Sequence, residues 1–144
     1  MNYIKSDGTI LNWVQKNRDI GIFLFRLFIG ARLVYGVSDN VFHWEHMVAF
    51  KDFLDKFHFP FPLASAIVSV SVQFTAGLLL FVGYKIRLSS LVLILNFLVA
   101  LFMVHHNDSF EAMTPALAML FGCVVLFFYG PDKYSMEHFI RKRN

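Results

Sequence analysis

Charge is scarce in this sequence. Of 144 residues only 16% are Asp, Glu, Lys or Arg, whereas 57% are hydrophobic and mean hydropathy is +0.56. A water-soluble domain averages roughly 45 to 50% apolar and about a quarter charged, so too few charged groups are present here to cover an ordinary soluble surface. Cysteine is nearly absent as well. The single Cys123 excludes an intramolecular disulfide and a dithiol redox couple, and no CxxC occurs. Glycine-rich phosphate loops, the helical HExxH motif, a serine elbow and the c-type haem sequence are also missing. No fixed-period repeat or low-complexity tract interrupts the chain.

What the chain has instead is long apolar runs. A span of about 17 to 25 residues crosses roughly 30 Å of hydrocarbon at 1.5 Å per residue. Four such spans are expected, at about 20–38, 62–83, 87–105 and 109–130. Lys5, Asp7, Lys16 and Arg18 break up the segment before the first, which is therefore expected to stay in the mature protein rather than serve as a cleaved signal. Nine basic residues (Lys5, Lys16, Arg18, Lys85, Arg87, Lys133, Arg141, Lys142 and Arg143) fall on the side of the termini, against Lys51 and Lys56 on the other. Short loops rich in Lys and Arg stay in the cytoplasm, so both termini are expected to be cytoplasmic. The net charge of +3 then reads as a topology signal, and no nucleic-acid partner is expected.

The expected fold is all-α: one polytopic membrane domain over 1–144, a four-transmembrane-helix bundle with an outer-surface amphipathic helix. That helix is expected at about 45–58, where Met47, Phe50, Phe53, Leu54 and Phe57 recur at helical spacing. Pro60 and Pro62 stop it, and Pro62 suits the first turn of the second span. A shorter interfacial helix is expected at about 9–18, capped by Thr9. Spans two and three, joined only by GYKIR, must be antiparallel neighbours. Small residues such as Ala76 and Gly77 allow close helix approach. Asp108 and Glu111 resemble a capping box, placing the start of the fourth span near Ser109, with Pro115 loosening its first turns. Cys123 is expected to be a buried packing residue, and the basic tail to rest on anionic headgroups.

A resemblance follows from the order of these pieces. Arg26 and Gly30, then Tyr35–Gly36, a Phe/Leu-rich stretch ending FPFP, LLLFVGYKIR after Gly77, His105, and YGPDKYS resemble the DoxX family of small four-helix bacterial membrane proteins, over about 20–136. The resemblance implies a multi-pass protein of the bacterial inner membrane, linked to quinone-dependent oxidation or to membrane oxidoreductase assemblies. One departure matters: where family members often carry a glutamate in the middle of span two, this chain has Gln73. A proton relay through that position loses its carboxylate.

Two arginines lie inside the first span. Arg26 and Arg32 sit roughly 9 and 18 Å of rise beyond Ile20, and a charge near the bilayer centre costs about 2.5 to 3.5 kcal/mol. Snorkelling toward either surface is one reading. The other makes Arg26, with the mid-span amides Gln73 and Asn96, the lining of a polar pocket for a carbonyl oxygen such as that of a quinone ring, the possible cofactor. Arg32 and Tyr35 are further cofactor-binding candidates. Arg32 and Asp39 lie two turns apart on one helical face, with Tyr35 and Gly36 between them; an ion pair across the intervening turn is one reading and Asp39 capping the loop is the other. His105 is a candidate ligand-side proton acceptor beside Asp108 and Glu111. Weak metal candidates are His43, His46, His106 and Glu111, whose spacing is no known signature. Catalytic residues are not assigned.

Three functions fit these residues. The first is a quinone-interacting or accessory subunit of a membrane oxidoreductase, partnered by other subunits or by copies of itself. The second is a non-enzymatic scaffold or assembly partner in the bilayer, and the third is a channel or transporter.

Overall fold

The computed structural model describes residues 7–104 and 108–143. Among the described residues seven helices follow one another: α1 (Asp7–Lys16), α2 (Arg18–Phe42), α3 (Trp44–Lys56), α4 (Pro62–Val82), α5 (Ile86–Met103), α6 (Phe110–Tyr129) and α7 (Met136–Arg143). Of these, α2, α4, α5 and α6 are long and apolar enough to cross a membrane. Their outward faces are rich in exposed Phe, Leu and Val, as lipid permits without penalty.

Packing runs α2 on α4, α4 on α5 and α5 on α6, with α6 also touching α2. Close approach of α2 to α4 depends on paired glycines. A Cβ on Gly30 would lie 2.7 Å from the backbone nitrogen of Phe81 and 2.8 Å from the carbonyl oxygen of Gly77. Backbone therefore meets backbone, which gives dispersion contact where the hydrophobic effect offers none. The main core is formed by Ile29, Leu33, Leu80, Leu93, Leu120 and Leu126, with Cys123 buried among them.

A second core lies under α3, where Met47 and Leu54 pack on Ala66, Val70 and Val104. This is the expected amphipathic helix, laid over the end of the bundle opposite the termini. His43, extended at φ −127°, separates it from α2, which runs past the expected end of the span to Phe42. The segment into α4 is strained: His58 (φ 54°) and Phe61 (φ 49°) adopt left-handed backbone, which bulky residues rarely do.

Several local expectations need correction. Helix α1 begins at Asp7, so Thr9 lies within it and does not cap it. Helix α6 is capped by Ser109, whose hydroxyl accepts from the Ala112 N–H, and not by Asp108. Helix α7 was not expected from the sequence. It is held by tertiary bonds, the Glu137 N–H donating to the Gly83 carbonyl at 2.9 Å and the Glu137 carboxylate accepting from the Ile86 N–H at 3.3 Å.

Candidate functional site in the membrane-spanning bundle

Arg26 does not join Gln73 and Asn96. Its guanidinium is 1% exposed and its Nε donates to Asp132 at 2.8 Å, while Nη1 donates to the carbonyls of Leu80 and Phe81 at the end of α4. Asp132, equally buried, also accepts from the Tyr134 N–H at 2.9 Å. The ring of Phe23 lies 5.4 Å from the guanidinium. An arginine here binds α2, the foot of α4 and the turn after α6 into one knot.

Periodicity and span composition do not reveal this partner, because Asp132 lies just beyond the spans whereas Gln73 and Asn96 lie inside them. The usable signal was YGPDKYS: Gly130 and Pro131 end α6 and fold Asp132 back beneath the bundle, within reach of an arginine that must find a charge partner. Gly83 belongs to the same knot. It takes φ +81°, and a Cβ there would lie 2.9 Å from Cζ of Arg26 and from Cα of Ser135.

Gln73 and Asn96 face a different space. A cavity of about 570 Å³ lies between α3, α4 and α5, walled by Phe50, Phe53, Phe59 and Phe61 and crossed by Ser65, Ser69, Gln73 and Asn96. The Gln73 amide donates to Ser69 at 3.2 Å, along its own helix. Asn96 makes no side-chain hydrogen bond with the described residues, so its amide is available to a ligand. Each amide lies about 15 Å of rise from its helix start, close to the middle of the membrane. The left-handed residues on either side of Phe59 and Pro60 bring two phenylalanines to the cavity mouth. A pocket of several hundred Å³ with apolar walls and a few convergent polar groups is the usual form of a small-molecule site.

A neighbouring cavity of about 400 Å³ between α2 and α6 is lined by Arg32, Gly36, Gln73, Phe97 and Pro115. Gln73 and Phe97 line both cavities and so form the wall between them. Arg32 is exposed, without a hydrogen bond or ion pair to any described residue, and its Nη1 lies over Gly36. It does not reach Asp39, because seven residues are about 10 Å of rise while the side chain covers only one turn. Tyr35 is 78% exposed and lines neither cavity.

His105 and His106 lie outside the described residues. His43 and His46 stack edge to face with ring centroids 5.9 Å apart at the α2–α3 joint, and Glu111 is exposed in the first turn of α6. No group of three His, Cys, Asp or Glu among the described residues is placed to hold a metal ion.

The model of the DoxX family matches residues 21–106, more than half of the chain. The chain belongs to the DoxX family. The match takes in Arg26 and Arg32 of α2 together with Gln73 and Asn96, and ends before Asp132. No curated protein and no solved structure matches.

Proposed function

We propose that this DoxX protein holds an isoprenoid quinone in the α3–α4–α5 cavity and serves as a quinone-interacting subunit of an oxidoreductase in the bacterial inner membrane. The observation that carries the reading is the Asn96 amide, without a partner among the described residues, at mid-membrane depth inside an aromatic-walled cavity. A quinone ring fits that chemistry. Its flat faces suit the phenylalanines of α3 and the entry segment, and its carbonyl oxygen suits an amide donor shielded from water.

The quinone, when bound, supplies two-electron chemistry, and this chain's residues supply position. Asn96 and Gln73 orient the ring, Ser65 and Ser69 add hydroxyls along one wall, and Phe50 and Phe53 close the outer side. Electrons come from a partner protein, since the lone Cys123 is no dithiol couple. Arg26 is assigned to the framework, and Arg32 to the neighbouring cavity, within reach of Gln73's surroundings.

The test is quinone retention. Purified protein in zwitterionic nanodiscs, equilibrated with a long-chain ubiquinone, should retain about one quinone per chain after washing, and Asn96→Leu should lower retention about tenfold. Equal retention by wild type, Asn96→Leu and empty nanodiscs would sink the reading.

A further inference from the structure

A third apolar space lies at the opposite end of the bundle and does not depend on the quinone reading. Between α4 and α7 a groove of about 520 Å³ is lined by Phe74, Leu78, Val82 and Tyr84 on one side and Met136 and Ile140 on the other. From Phe74 to Val82 it follows α4 for about 12 Å, close to the hydrocarbon depth of one leaflet. Helix α7 cannot drift from this position freely, because Glu137 bonds both sides of the α4–α5 turn and the His138 N–H donates to Ser135 at 3.2 Å.

The shallow end of the groove is positively charged. Lys85 sits with its ammonium 5.7 Å from the ring centroid of Tyr84, aimed by a left-handed backbone at φ 48°. On α7, Arg143 lies three residues beyond Ile140 and seven beyond Met136, on the face that lines the groove. Nearby carboxylates are already engaged: Glu137 with Arg141 at 2.7 Å, Asp132 with Arg26, and Asp19 with Tyr129 and Lys133. Lys85 and Arg143 have no acidic partner among the described residues.

We propose that this groove is a binding site for one anionic phospholipid of the cytoplasmic leaflet, with an acyl chain along α4 and the phosphate between Lys85 and Arg143. An apolar slot one leaflet deep with two uncompensated cations at its polar rim matches such a molecule in both shape and charge. Such a lipid would fasten α7, and with it the segment carrying Asp132, against the bundle.

Native mass spectrometry of the full chain released from phosphatidylcholine nanodiscs, containing a minor fraction of phosphatidylglycerol with matched chains, tests this. Wild type should retain one phosphatidylglycerol in preference to phosphatidylcholine. Lys85→Asn, which removes the charge but tolerates left-handed backbone, and Arg143→Gln should each lower that preference about fivefold. Leu78→Trp, filling the groove with the charges intact, should abolish retention, while Lys16→Gln at a distant site should not alter it. Equal retention of the two lipids by wild type, or undiminished preference in Lys85→Asn/Arg143→Gln, overturns the proposal. So does full retention by Leu78→Trp. The two charge variants sit on exposed positions outside the core, so their folding does not confound the readout.

Discussion

Two arginines six residues apart on α2 meet opposite fates. Arg26, in the half of the bundle nearer the termini, is buried and donates to a carboxylate and two carbonyls. Arg32, in the half covered by α3, is exposed, lies over Gly36 beside a cavity and has no polar partner among the described residues. Their intrinsic chemistry is the same, so the difference is made by the surroundings. The end nearer the termini is closed by chain folding back on itself, the turn at Gly83 and the segment from Asp132 to Ser135. The opposite end is covered by α3, which leaves cavities between itself and the spans. The bundle is thus locked at one end and open at the other, and the open end carries the candidate site.

The largest effect should come from breaking the lock. Asp132→Asn leaves a buried guanidinium without its counter-charge, and such losses cost about 3 to 5 kcal/mol. Reversible unfolding in mixed micelles should show that loss, while Arg32→Leu should change stability by less than about 1 kcal/mol. The double variant Arg26→Leu/Asp132→Leu should recover most of it, because neither charge is then stranded. Equal sensitivity of the two arginines would abolish the contrast.

Glycine substitutions sharpen the same comparison at smaller magnitude. Gly83→Ala must hold an L-residue at φ +81° and place its Cβ against Arg26 and the backbone of Ser135. A loss of about 1 to 3 kcal/mol is expected. Gly36→Ala meets only the flexible tip of Arg32, which has room to swing away, and alanine favours the helix by roughly 0.5 to 1 kcal/mol. It should therefore be neutral or stabilising. A destabilising Gly36→Ala would mean that Arg32 is held as firmly as Arg26.

The two ends also differed in how much the sequence revealed. The four spans, the α4–α5 hairpin and the amphipathic α3 were readable because each is governed by local periodicity, length or a short turn. Gln73 and Asn96 stood out as mid-span amides, and the structure brings them to one cavity because GYKIR fixes the register of α4 against α5. The partnership of Arg26 with Asp132 was not readable. It joins residues 106 positions apart, and depends on how the chain turns after Gly130 and Pro131. Helix α7 is hidden for the same reason, being short and basic and fixed by Glu137 to Gly83 and, 51 residues away, to Ile86. Local signals name the elements, whereas the lock is made by contacts between segments far apart in sequence.

The smallest expected effect on stability tests whether the end covered by α3 is open in an energetic sense. Among the described residues the side chain of Gln73 bonds only to Ser69, one turn back on its own helix, so it ties no two elements together. Hydrogen bonds between polar side chains within membranes average about 0.6 kcal/mol. Gln73→Leu, similar in volume, should accordingly shift unfolding by no more than about that amount in either direction. Because Gln73 lines both cavities, the same substitution should nevertheless lower quinone retention in the nanodisc assay. Small cost to folding with a large cost to binding is the pattern of a residue kept for a ligand. A loss of 2 kcal/mol or more on unfolding would instead make Gln73 an outer counterpart of Arg26, and the bundle would be locked at both ends.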